Sequence, residues 1–207
     1  MKNYTAIILI LFLAFIFQRT SAQQTTAPEP YSVKADKLGE IGAEWLASDP
    51  THKNWKCTDI AQVVDGQPIP CLWERAVYPK VEVVTYAGLE LTNQEASFVR
   101  KDGKVVLYQV KLQFCNGDGY EATLIAALNE KFGKASHQIT PAQNGFGATL
   151  TEDTWIWTNG VSTVTLDYTT PEPTYHSPVV TFTLDSLARE IQERQDKAAQ
   201  TKARSDM

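Results

Sequence analysis

The alternation of apolar and polar residues is clearest in the middle of the chain. Val106, Tyr108, Val110, Leu112 and Phe114 recur at every second position, with Gln109, Lys111 and Gln113 between them. A period of two puts the two sets on opposite faces of a strand, so the pattern predicts one dry and one wet face. Residues 95–100 carry Ala96 and Phe98 in the same way, and Asp102-Gly103 between the two runs favours a tight hairpin turn. Further strands are predicted at 80–86 (KVEVVTY), 154–157, 161–168 and Val179–Leu184. Asn159-Gly160 supplies another hairpin turn, with Val164, Leu166 and Tyr168 in phase after it.

A helical period appears in three places. Leu124, Ile125, Leu128 and Phe132 form one stripe over Tyr120–Phe132, and Gly133 follows as a C-terminal cap. Leu38, Ile41, Trp45 and Leu46 predict a helix over 35–48, stopped by Asp49-Pro50 and weakened by Gly39 and Gly42. A last helix is expected from Asp185 or Ser186, with Leu187 and Ile191 inward, fraying into a solvated tail beyond Glu193. The stretch 51–79 is irregular, and Asp65-Gly66 within it suggests a short hairpin or loop. A polar loop is expected from His137 to Gly147. These elements predict an α+β fold: an antiparallel sheet of about six strands with helices on one face, and an order compatible with a duplicated α-β-β-β unit.

The N-terminus changes the picture of where the protein works. Lys2 precedes an unbroken apolar run from Ala6 to Phe17, and Thr20-Ser21-Ala22 forms a small-x-small site. These are the parts of a secretory signal, with cleavage expected after Ala22. Twelve helical residues reach only ~18 Å, short of the ~30 Å hydrocarbon core, so no stable membrane anchor is expected after cleavage. The expected organisation is therefore a signal peptide (1–22), a flexible lead-in (23–34), a single α+β domain (35–192) and a polar C-terminal end (193–207).

Composition and charge remove function classes rather than supply one. The 207 residues carry 19 Lys plus Arg against 24 Asp plus Glu, a formal charge of −5. Nothing in that balance attracts a phosphate backbone, so no nucleic-acid partner is expected. Cys57 and Cys71 are 14 positions apart, and an oxidising compartment favours a disulfide between them. Cys115 ends an apolar strand and reads as a buried, inert thiol. His52, His137 and His176 lie in loop-like segments without zinc-binding spacing, so no metal site is expected, and solvated loop histidines are the simpler account. Asn116-Gly117-Asp118-Gly119 lacks the acidic positions of a calcium loop and reads as a turn before the helix. No nucleophile elbow, Walker loop or dinucleotide fingerprint occurs, and no cofactor is expected. Glu152, Asp153 and Asp167 leave a carboxylate hydrolase as a lesser alternative. Trp155 and Trp157 share a strand face, either as core or as an exposed platform, and are the candidate binding residues.

The run Leu124-x-x-Ala127-Leu128-x-x-Lys131-Phe132-Gly133, preceded by Leu107-x-x-Val110-x-Leu112-x-Phe114 and followed by Trp155 and Val164-x-Leu166, resembles that of a group of small exported bacterial α+β proteins. The build is also similar to that of the β-lactamase inhibitor protein and the BamE-type outer-membrane assembly lipoproteins. No lipid-modifiable cysteine follows the signal here, and no catalytic residues carry over. The resemblance implies an exported, non-catalytic interaction or binding module, periplasmic or secreted, with a cell-envelope or secreted protein as partner. A small-ligand carrier, holding its ligand between sheet and helices, is the other alternative.

Overall fold

A computed structural model describes residues 27–34, 36–57, 67–74, 85–115, 117, 119–143, 145–170 and 177–205. The signal segment, the Asp65-Gly66 turn and all but the end of the 80–86 strand lie outside these residues.

The long hairpin forms as its alternation requires. Strands β6 (Leu89–Lys101) and β7 (Lys104–Phe114) are joined by Asp102 and Gly103, whose φ values are 50° and 75°. The remaining strands, in chain order, are β1 (Ser32–Val33), β2 (Asp36–Lys37), β3 (Lys56–Cys57), β4 (Ile69–Glu74), β5 (Thr85–Tyr86), β8 (Ser136–Gln143), β9 (Thr149–Thr158), β10 (Ser162–Thr170) and β11 (Val179–Leu184). Helices α1 (Gly42–Ser48), α2 (Tyr120–Phe132) and α3 (Asp185–Ser205) complete the described elements, with a 3₁₀ turn at Pro50–Asn54. The class is α+β, as the sequence predicts. Nine strands, rather than about six, form one sheet among the described residues, in the order β3-β4-β6-β7-β11-β10-β9-β8, with β5 paired to β6.

The two halves of the sheet share one order, but each places four strands after its helix rather than the three of the α-β-β-β unit expected from the sequence. α1 leads into the meander β3-β4-β6-β7, and α2 leads into the meander β8-β9-β10-β11. The two halves meet through their last strands, where Val180 faces Leu112 and Phe182 faces Val110. Both α1 and α2 contribute to one core on one face of the sheet. Trp45, Phe98, Leu107, Val110, Leu112, Phe114, Leu124, Leu128, Trp157, Val164, Leu166, Val180 and Phe182 are buried together there. Burying each leucine of α2 contributes roughly 1.5–3 kcal/mol.

The third helix takes the other face. Val99 and Tyr108, adjacent in sequence to core residues Phe98 and Leu107, form a separate cluster with Leu187 and Ile191 of α3. A bulge makes this possible. Ser97 faces Gln109 and Phe98 faces Leu107, so Tyr108 is an extra residue in β7. The single apolar face expected of β7 is therefore divided: Val110, Leu112 and Phe114 stay in the main core, while Val106 and Tyr108 turn toward α3.

Three segments differ from expectation. The helix predicted over 35–48 begins only at Gly42, because the backbone before it bonds to β7: Gly39 N–H donates to the Leu107 carbonyl and Leu107 N–H to that of Glu40, at 2.8 and 2.9 Å. The lead-in is docked rather than loose over its described part. Tyr31 N–H donates to Ser162 Oγ, Glu29 accepts from Asn159 Nδ2, and Val33 is buried. α3 continues to Ser205 rather than fraying after Glu193. Glu190 bonds Arg194 and Gln192 bonds Asp196 at four-residue spacing, and three alanines in the last turns favour helix.

α2 ends where Gly133 adopts φ 85° and ψ −166°, a region that residues with a Cβ rarely enter. A Cβ there meets nothing within 4 Å. Gly133→Ala is therefore expected to lower stability by about 1–3 kcal/mol through backbone strain alone, measurable by urea denaturation.

Candidate functional site

The tryptophan hairpin lies on the face that α1 and α2 cover. Trp157 is 2% exposed, and its indole N–H donates to Asn129 Oδ1 and to the Gly133 carbonyl. The ring thus anchors β9 to the end of α2 and is not presented to solvent. Trp155 is half-buried against the same core and stacks on His137 at 3.9 Å with the rings 6° from parallel. Its indole N–H is buried and meets no acceptor among the described residues. His137 also bonds Asp153 at 2.8 Å, from a strand where a polar loop was expected. Among the described residues β8 is an exposed edge strand paired only to β9, so it has no dry face to mark it in the sequence; Pro141 is tolerated because an edge leaves backbone positions unpaired.

Among the described residues, α3 covers one end of the opposite face through Leu187 and Ile191, and the rest of that face carries mainly polar side chains, with Ile156 and Val179 between them, in rows across the strands. One row runs Ile156, Thr165, Thr181, Lys111, Glu95, and a second runs Thr154, Asp167, Val179, Gln113, Asn93. Neighbours along these rows hold one another in place. Thr154 and Thr165 hydroxyls donate to the two oxygens of Asp167, Asn93 Nδ2 donates to Gln113 Oε1, and Ser97 Oγ donates to Glu95. Burial, reinforced by the Glu95 charge and opposed by a hydrogen bond to Ser97, raises the Tyr108 phenol above its ordinary value, so it stays protonated at neutral pH.

An open depression of about 470 Å³ sits at one end of this face, lined by Gln113, Glu152, Thr154, Asp167, Thr169 and Ser177 among others. All three acid candidates, Glu152, Asp153 and Asp167, belong to its lining. Glu152 and Asp153 are successive in a strand and so leave it on opposite sides, with Asp153 bonded to His137. Both oxygens of Asp167 already accept hydroxyl protons. The arrangement offers hydrogen-bond acceptors to a ligand rather than a poised acid and base.

A second polar cluster was not anticipated. His52, expected to be solvated, is 3% exposed. Its ring stacks on Trp45 at 3.8 Å, its Nδ1 lies 2.7 Å from the Trp45 carbonyl, and its Nε2 lies 3.3 Å from Asp36 Oδ1. Trp45 Nε1–H donates to the same carboxylate oxygen at 2.7 Å. The Pro50–Asn54 turn carries His52 inward, an outcome that no local periodicity announces.

Cys57 and Cys71 face each other across β3 and β4 with their sulfurs bonded, while Cys115, half-buried, keeps its thiol. Among the described residues no group of three or more His, Cys, Asp or Glu side chains is placed to hold a metal ion, and no helix is long and apolar enough to cross a membrane. Asn116, Asp118 and His176 lie outside the described residues. No family model, curated protein or solved structure matches the chain.

Proposed function

We propose that the chain is an exported, non-catalytic binding protein whose open sheet face engages a protein partner of the cell envelope or the secreted medium. The observation that carries this reading is the asymmetry of the sheet. One face is closed by α1, α2 and the docked N-terminal segment, whereas the other presents threonine, glutamine, asparagine and carboxylate groups in ordered rows. Side chains held by their neighbours lose little freedom on binding, and preorganised donors and acceptors of this kind suit a polar protein surface. The signal-like N-terminus and the Cys57–Cys71 bond agree with an oxidising location, and the resemblance to small exported bacterial α+β proteins points the same way.

The two alternatives have less support. A carrier needs space between α2 and the sheet, but Leu124 and Leu128 are fully buried against that core. A carboxylate hydrolase would use Glu152 with Asp153 or Asp167, of which Asp153 is bonded to His137 and Asp167 is engaged by two threonines.

The test uses the two adjacent rungs Thr181 and Lys111. Thr181→Arg combined with Lys111→Gln is expected to change folding stability by no more than about 0.5 kcal/mol, since both side chains lie on the wet face and no like charge is set opposite Glu95. Partner capture from the envelope and medium fractions should fall at least tenfold, as central contacts each contribute about 2 kcal/mol or more. Unchanged capture by the double variant would overturn the assignment of this face.

A further inference from the structure

We propose that His52 is a buried imidazolium whose charge clamps the β1–β2 hairpin onto the end of α1, and that loss of its proton unlatches this segment from the aromatic cluster beneath it. The geometry carries the inference. Both ring nitrogens face groups that only accept: the Trp45 carbonyl at Nδ1, 2.7 Å away, and the Asp36 carboxylate at Nε2, 3.3 Å away. A neutral imidazole has one N–H and one lone pair, so either tautomer would aim a lone pair at an acceptor inside the protein. Only the doubly protonated ring satisfies both contacts.

The surroundings fit a positive charge. From β2 comes Asp36, and from the end of α1 comes Asp49, which also accepts from Thr51 N–H. Lys34, in the turn between β1 and β2, is drawn to the same two carboxylates, though burial lowers its proton affinity. Trp45 stacks on the ring and Trp55 meets it edge-on, while Phe98 packs edge-on against Trp45. Burial works against the charge and is the largest single influence on His52. The Asp36 hydrogen bond, the Trp45 carbonyl and the charges of Asp36 and Asp49 together outweigh it, raising the histidine above its usual value.

The sign of the linkage follows. A histidine raised in the folded state contributes its full stabilisation below the unfolded value of ~6.5, and loses it as the pH rises through the folded value. Between those two values, opening of the hairpin should grow by up to about tenfold per pH unit, the slope for one proton, and level off above. The freed segment would be the one held by Asp36, by the Gly39–Leu107 and Leu107–Glu40 backbone bonds and by Val33 and Leu38 in the core.

Nitrogen-detected NMR of the imidazole on the whole protein tests the proposal directly. Both His52 nitrogens should carry protons at pH 6 and titrate together, with a midpoint above ~6.5. Over the same range, exchange of the Gly39 and Leu107 amides should accelerate beyond the ordinary base-catalysed rise, while the Leu128 amide in α2 should not. In His52→Gln the extra acceleration should vanish. A single protonated nitrogen at pH 6, or a midpoint below ~6.5, would overturn the buried charge. Amides at 39 and 107 that follow only base catalysis would overturn the clamp. Both wild-type readouts stand even if the variant fails to fold.

Discussion

Trp45→Ala is expected to lower the stability of the protein by about 3–5 kcal/mol, the upper range for a buried aromatic residue. Trp45 is 0% exposed and meets groups from β2, from the 3₁₀ turn and the residue after it, and from β6. Its indole packs edge-on against Trp55 and Phe98, stacks on His52, and donates to Asp36. Removing the ring leaves a cavity beneath α1 and takes one donor from a carboxylate that is only slightly exposed. Domains of this size are stable by about 5–15 kcal/mol, so the variant should melt much earlier or unfold outright. Trp45→Phe separates the contributions, because it keeps most of the volume and loses the Asp36 hydrogen bond; a loss of about 1–3 kcal/mol is expected there. Urea denaturation followed by near-UV circular dichroism measures both. Equal losses for the two variants would mean that the hydrogen bond, rather than the filled volume, carries the site.

Reduction of the Cys57–Cys71 bond is expected to have the next largest effect. The bond joins positions 14 apart beside β3, which among the described residues is an edge strand of two residues paired with β4 alone. Chain entropy assigns about 3 kcal/mol to such a closure. Two paired residues cannot hold an edge strand without help, so the loss should be local first. With reductant, the amides of β3 and β4 should exchange faster while those of β7 and β11, at the centre of the sheet, keep their protection. Cys57→Ser with Cys71→Ser should reproduce the result, and uniform loss of protection across the sheet would contradict it.

The elements that depend on local chemistry were legible in the sequence. α2 and β11 occur at the predicted bounds, and Asp102-Gly103 turns where its positive φ values require it. The departures arise where distant parts of the chain decide the outcome. The Tyr108 bulge depends on the register against β6, and its consequence, a second apolar cluster under α3, is invisible to a period of two read along β7 alone. β8 lacks alternation because its residues, Ala142 apart, are exposed. His52 is a polar residue in a 3₁₀ turn until Trp45 and Asp36, 7 and 16 positions away, close over it. The tryptophan pair shows the same limit. Period two places Trp155 and Trp157 on one face, but only the position of α2 determines that this face is the covered one and that Trp157 serves as an anchor. The open face was implicit in Gln109, Lys111 and Gln113. Its extent became apparent only when the two four-strand meanders joined through β7 and β11.

That joined surface is best tested by site-specific photo-cross-linking in the producing cell. A photoreactive side chain at Thr181 or Thr165 lies on the face opposite α1 and α2, whereas one at Glu130 is exposed on α2 over the covered face. The first two positions are expected to cross-link to the same protein in the envelope or secreted fraction, and the third is not. Cross-links from Glu130 alone, or from none of the three in a chain that remains in the cytosol, would contradict it.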